Sequence, residues 1–87
     1  MAKIIIYTKD YCPHCVKAKN LLKSKGQEAN ISEIDITNDV NLQKEMVEKS
    51  GGRRTVPQIF IDDTHVGGSD DLAALNSKGE LDKMLSA

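Results

Sequence analysis

Cys12 and Cys15 are the only thiols in this chain of 87 residues, and they stand as Cys12-Pro13-His14-Cys15. Three positions are just under one helical turn, so on a helix both sulfurs share a side, within reach of a disulfide. Pro13 suits a first helical turn, where its missing N–H costs nothing. A helix that starts near Cys12 surrounds that thiol with unpaired N–H groups at the positive end of the dipole. That placement favours the thiolate, which is the attacking form. Cys15 falls one turn on, on the side that Ala18 and Leu22 mark as apolar. The expected division is one sulfur that attacks and one that resolves. Two inert thiols are the alternative, and a CxxC between a strand and a helix argues against it.

The same residues serve metal poorly. A structural zinc site takes four ligands, and the chain offers at most Cys12, Cys15, His14 and His65. His14 lies between the cysteines, where it closes the tetrahedron badly, so no metal site is expected. A secreted disulfide scaffold of this size carries four or more cysteines. Two cysteines point to redox chemistry in a reducing compartment.

The elements that must hold this pair follow from the patterning. Ile4-Ile5-Ile6-Tyr7 is a short β-branched run read as a buried strand, and Lys9-Asp10-Tyr11 as a polar turn. The first helix carries Cys15, Ala18 and Leu22 on one face and stops at Gly26. Asn30 to Ile36 reads as a second strand whose alternation fails in its first half. Asp39 to Ser50 reads as a helix with Leu42, Met46 and Val47 on its apolar side, ended by Gly51-Gly52. Gln58 to Asp62 and Thr64 to Val66 form a hairpin around Asp62-Asp63. Ser69 reads as the N-cap of a third helix, with Asp70 and Asp71 in its first turn. A short last helix holds Leu81, Met84 and Leu85. The order β-α-β-α-β-β-α plus the short C-terminal helix predicts an α/β fold. It consists of a right-handed βαβ unit and a hairpin, joined in a mixed four-stranded sheet with helices on both faces.

Composition narrows the function. The length suits a single domain, residues 1–87. Hydrophobic residues make up 39% and charged residues 29%, as in a soluble globular protein. A net charge of -1 gives no basic face for nucleic acid, and Tyr7, Tyr11 and Phe60 are too few to stack bases. No apolar run approaches a membrane span, and the first residues lack the pattern of a signal peptide. A cytoplasmic location without membrane contact is expected.

Four segments carry a resemblance over essentially the whole chain: Tyr7-Thr8-Lys9, Cys12-Pro13-His14-Cys15, Thr55-Val56-Pro57-Gln58-Ile59-Phe60-Ile61 and Gly67-Gly68-Ser69-Asp70-Asp71. Together they resemble the dithiol glutaredoxins of the small bacterial type, within the thioredoxin-like superfamily. A thioredoxin would show a Trp before Cys-Gly-Pro-Cys, and this chain has no Trp. A monothiol glutaredoxin would lack Cys15. The chain departs from the family pattern at His14, where Tyr is usual, and at Ser69, where many relatives carry a third cysteine.

The resemblance implies a thioredoxin-like fold and a glutathione-dependent thiol–disulfide oxidoreductase with Cys12 and Cys15 as its redox-active disulfide. Glutathione would be a co-substrate, with no tightly bound cofactor. It further implies a cis Val56-Pro57 bond, with the main chain of Val56 free to pair with the cysteinyl part of glutathione. An edge-strand trans proline is the alternative. Backbone N–H groups of Ser69 and Asp70 would hold the γ-glutamyl carboxylate, and the Asp70 side chain its ammonium. A plain helix cap is the alternative there. Lys9 would meet the glycine carboxylate, against the alternative of a solvated surface lysine. Tyr11, Thr55, Pro57 and Gly68 would complete the glutathione groove. Arg53 and Arg54 are assigned no contact, although either could attract an anionic tripeptide. His14 has no assigned role, and His65 is read as structural. Expected partners are glutathionylated and disulfide-containing proteins, with electrons supplied indirectly by glutathione reductase and NADPH. The protein is expected to act as a monomer. An iron–sulfur cluster shared by two chains through Cys12 and two glutathiones is the competing expectation, and Pro13 and the dithiol motif argue against it as the main role. A redox-inert interaction domain is a third.

Overall fold

The computed structural model describes residues 3–10 and 12–86. Its elements run β1 (Ile4–Thr8), α1 (Pro13–Ser24), β2 (Ile31–Asp35), α2 (Val40–Lys49), β3 (Gln58–Ile61), β4 (Thr64–Gly67), α3 (Ser69–Ser77) and α4 (Glu80–Leu85). The sheet order is β2-β1-β3-β4, with β1 parallel to β2 and the other two pairings antiparallel. This is the mixed four-stranded sheet expected from the element order.

Period-two alternation divides the core. Ile4 and Ile6 of β1 and Ile59 and Ile61 of β3 point to one face. There they pack with Ala18 and Leu22 of α1, Leu72 of α3, and Leu81 and Leu85 of α4. Tyr7 and Phe60 point to the other face, against Ile36 and against Met46 of α2. Helices therefore cover both faces, and β1 is buried between its two neighbouring strands.

Strand two is shorter than its sequence suggests. Glu28–Asn30 forms a single 3-10 turn, in which the Asn30 N–H donates to the Gln27 carbonyl at 2.9 Å and its side chain to Gln27 Oε1 at 2.8 Å. Asn30 thus belongs to the turn, which is why alternation fails there. At the far end Ile36 leaves the strand but still donates to the Thr8 carbonyl at 2.9 Å. The Asp62-Asp63 turn has positive φ at both residues, 49° and 68°, the geometry of a tight hairpin. A bulge at Val66 then leaves His65 opposite Phe60 and Gly67 opposite Ile59.

The cap of α3 corrects the sequence reading. The helix begins at Ser69, and its N-cap is Gly68. Asp71, three residues on, reaches back so that its Oδ2 accepts from the Gly68 N–H at 2.9 Å. That return bond satisfies the Gly68 N–H and starts the helix one residue earlier than a Ser69 cap would. Gly67 has φ 117°, a region closed to residues with a side chain, and a Cβ there would collide with the Asp71 carboxylate.

Candidate active site

Cys12 is the N-cap of α1 and Pro13 its first residue. The Cys15 N–H donates to Cys12 Sγ at 3.2 Å, so one of the unpaired amides of the helix end points at the sulfur. Cys12 is half-buried, whereas Cys15 is 2% exposed, and both are free thiols. Burial pushes the Cys15 thiol up to about 12, and its hydrogen bond with Cys12 adds to the rise. The Lys9 backbone N–H opposes it. One sulfur is therefore accessible and hydrogen-bonded, and the other is buried and held protonated.

The loop that delivers Cys12 is pinned from below. The Asp10 N–H donates to Thr37 Oγ1 at 2.7 Å, and Thr37 in turn donates through its N–H to Asp35 Oδ1 at 2.8 Å. These bonds lower the Asp35 carboxyl, chiefly through the Thr37 hydroxyl. At the end of β1, buried Thr8 donates its hydroxyl to Glu33 Oε2 at 2.8 Å, and Lys19 of α1 donates to both Glu33 oxygens at 3.1 Å. Sequence reasoning missed Thr37, Asp35 and Glu33. Their only trace is a polar residue on or just after an exposed strand, which is common in any sheet.

Beside the motif lies a groove of about 160 Å³. It brings together His14 of α1, Thr55, Val56 and Pro57 before β3, and Gly68, Ser69 and Asp70 at the start of α3. The Val56-Pro57 bond is cis. Among the described residues no protein acceptor meets the first-turn N–H groups of Ser69 and Asp70. Arg53 also lines this groove, but its guanidinium is paired with Asp71 Oδ2 at 3.3 Å. Asp71 is thus a residue the sequence reading underrated: it ties the α3 cap to Arg53.

Lys9 is not in that groove. It lines a larger one, about 520 Å³, over α2 with Val40, Gln43, Lys44 and Arg54. The site residues therefore flank the β1–α1 junction on two sides. Tyr11 lies outside the described residues. No group of three or more His, Cys, Asp or Glu that could hold a metal ion occurs among the described residues. Among them, too, no helix is long and apolar enough to cross a membrane.

A dithiol at the first helix of a thioredoxin-like fold, one sulfur open and the other shielded, defines a thiol–disulfide oxidoreductase. The Glutaredoxin family's sequence model matches residues 4–66, and the chain belongs to that family. It is 51% identical to glutaredoxin 3 of Escherichia coli over 85 residues, covering 98% of this chain and 99% of the relative. The solution structure of glutaredoxin from Brucella melitensis is similar at 52% identity and a TM-score of 0.82, covering 98% of this chain and 89% of that one. A crystal structure of a buckwheat glutaredoxin–glutathione complex superposes with a TM-score of 0.85 at 28% identity, covering 98% of this chain and 77% of the other.

Proposed function

We propose that the chain reduces glutathione mixed disulfides and protein disulfides at the expense of glutathione, as a cytoplasmic monomer. The observation that carries this reading is the groove that His14 of the dithiol motif lines, together with Thr55–Pro57 and the open N-terminus of α3. A relative of the same fold is solved with glutathione, which adds weight.

Cys12 thiolate attacks the glutathione sulfur of a mixed disulfide. A Cys12–glutathione disulfide forms, and the substrate protein leaves as a thiolate that takes a proton from water. A second glutathione thiolate then attacks the bound glutathione sulfur, oxidised glutathione departs, and Cys12 is restored. With a protein disulfide, Cys12 first becomes joined to the protein. Cys15, one turn away, then attacks Cys12 Sγ and breaks its bond to the protein. The departing protein sulfur takes up the proton that Cys15 gives up, and a Cys12–Cys15 disulfide remains for glutathione to reduce.

The bound tripeptide lies extended. Its γ-glutamyl carboxylate accepts from the Ser69 and Asp70 N–H groups, and its ammonium pairs with the Asp70 carboxylate. Its cysteinyl main chain pairs with Val56 between Thr55 and Pro57, and Gly68 leaves room for it. Its glycine carboxylate crosses the β1–α1 junction toward Lys9, with Tyr11 alongside.

The test is a coupled assay on a glutathionylated protein with glutathione, glutathione reductase and NADPH. Turnover is expected to require glutathione. Equal turnover with thioredoxin reductase as the only electron source overturns the glutathione reading.

A further inference from the structure

Behind the groove is a polar chain for which the proposed chemistry has no use. Gln58, the first residue of β3, is fully buried among apolar neighbours. Its Nε2 donates to the Thr55 carbonyl at 2.9 Å and more loosely to Thr55 Oγ1 at 3.3 Å. Its Oε1 lies 2.8 Å from His65 Nε2. His65 sits in β4 with its ring tilted against Phe60, centroids 5.0 Å apart.

The chemistry of the partners fixes the direction of every bond. The Thr55 carbonyl can only accept, so the amide nitrogen of Gln58 must face it. The other end of that amide is a carbonyl oxygen, which also only accepts. His65 must therefore donate, and its proton sits on Nε2. If His65 offered a bare nitrogen, the Gln58 amide would gain by turning over, and the Thr55 carbonyl would face an oxygen. Burial and the positive charge of Arg53 hold the ring neutral, against the pull of Asp71.

We propose that His65 and Gln58 are positioning residues that aim the Thr55–Val56 main chain at the ligand in the groove. Among the described residues, the Gln58 amide is the only side-chain group bonded to the main chain of Thr55 or Val56. It holds an irregular segment that has no strand partner of its own. The relay rests on the glutathione reading above and adds the residues that give the groove its recognition edge.

The experiment compares His65→Leu, which keeps bulk and removes the donor, with His65→Gln, which restores an N–H on a chain of similar reach. Steady-state kinetics on a glutathione mixed disulfide should show KM raised about three- to tenfold in His65→Leu, the scale of one ordering hydrogen bond. The change should fall on KM more than on kcat, as loss of uniform binding does. His65→Gln should recover most of it, and Cys12 alkylation by iodoacetamide should not change in either. Equal KM shifts in the two variants, or none, in an active protein overturn the relay alone. A wild-type protein indifferent to glutathione overturns the functional reading and the relay's role with it. Should His65→Leu fail to fold, nitrogen-15 spectra of the wild-type ring decide: the Nε2–H tautomer is expected, and an Nδ1–H tautomer overturns the proposal.

Discussion

The chain passes from strand to helix beside the same groove at two places, and it caps the two helices in opposite ways. At the β1–α1 junction the capping atom is the reactive atom itself, since Cys12 Sγ accepts from the Cys15 N–H. At the β4–α3 junction the cap residue is Gly68, which has no side chain. Asp71 instead bonds back to the Gly68 N–H and leaves those of Ser69 and Asp70 open among the described residues. A helix N-terminus can be spent on stabilising a nucleophile or kept as a receptor for an anion, and this fold does each once. The difference lies in where the capping group sits: at the cap position it occupies the helix end, and three residues later it frees it.

The largest effects should come from the first junction. Cys12→Ser is expected to lose all turnover, on glutathionylated protein and on an oxidised dithiol protein alike. Cys15→Ser should keep substantial activity on the first substrate and lose most of it on the second, because glutathione can replace a resolving thiol only slowly. Complete loss of both activities in Cys15→Ser would remove the distinction between the sulfurs.

Shielding of Cys15 gives the next effect. In Cys12→Ser, alkylation of Cys15 at pH 8 should be slower than in the denatured protein by at least about tenfold. A thiol pushed up to about 12 from an ordinary 9.0 lends stability that is full below 9.0. That stability is lost as pH rises through the folded value, so melting temperatures should fall in this alkaline range and Cys15→Ala should flatten the fall. Equal alkylation rates in the folded and denatured protein would show that the sulfur is open.

At the second junction Asp70→Ala should weaken glutathione use, by at most roughly 1.5–3 kcal/mol for a charge-assisted bond, and leave Cys12 alkylation unchanged. Equal losses in both assays would mean damage to the fold. Asp71→Asn is the smallest change, below about 1 kcal/mol of stability, because the amide oxygen can still accept from the Gly68 N–H and only an exposed charge is lost. The Gly68 N–H, and after it Arg53, hold the Asp71 carboxyl below its ordinary 3.8, against the effect of burial. Its contribution is therefore present above 3.8 and lost as pH falls through the lower folded value. The urea midpoints of the wild type and Asp71→Asn should differ at pH 7 and converge in acid; a constant gap would show that the charge is idle.

The reach of sequence reasoning follows the range of the interactions. Ala18 and Leu22, spaced as one face, are both buried, and Ile4, Ile6, Ile59 and Ile61 alternate into one core as their pattern requires. Cys12 and Cys15 were legible because one local motif sets both their spacing and their environments. Asn30 was misread because a side-chain bond to Gln27 outcompetes the strand. Ser69 was misread because the true cap bond comes from a residue downstream. Thr37 under the Asp10 loop and His65 against Gln58 depend on contacts between distant segments, and nothing in their own neighbourhoods signals them.

The place of β1 at the middle of the sheet also bears on how the chain assembles. Ile4 pairs with Ile31 on one side and Ile61 on the other, and closing the second loop, roughly twice as long, costs only about 0.6 kcal/mol more than closing the first. Neither half of the molecule has a decisive head start, and each needs the same strand to cover its apolar side. Acquisition of order should therefore be a joint event around Ile4–Thr8, and the folding step that forms this strand should slow when Ile6 is trimmed to Val.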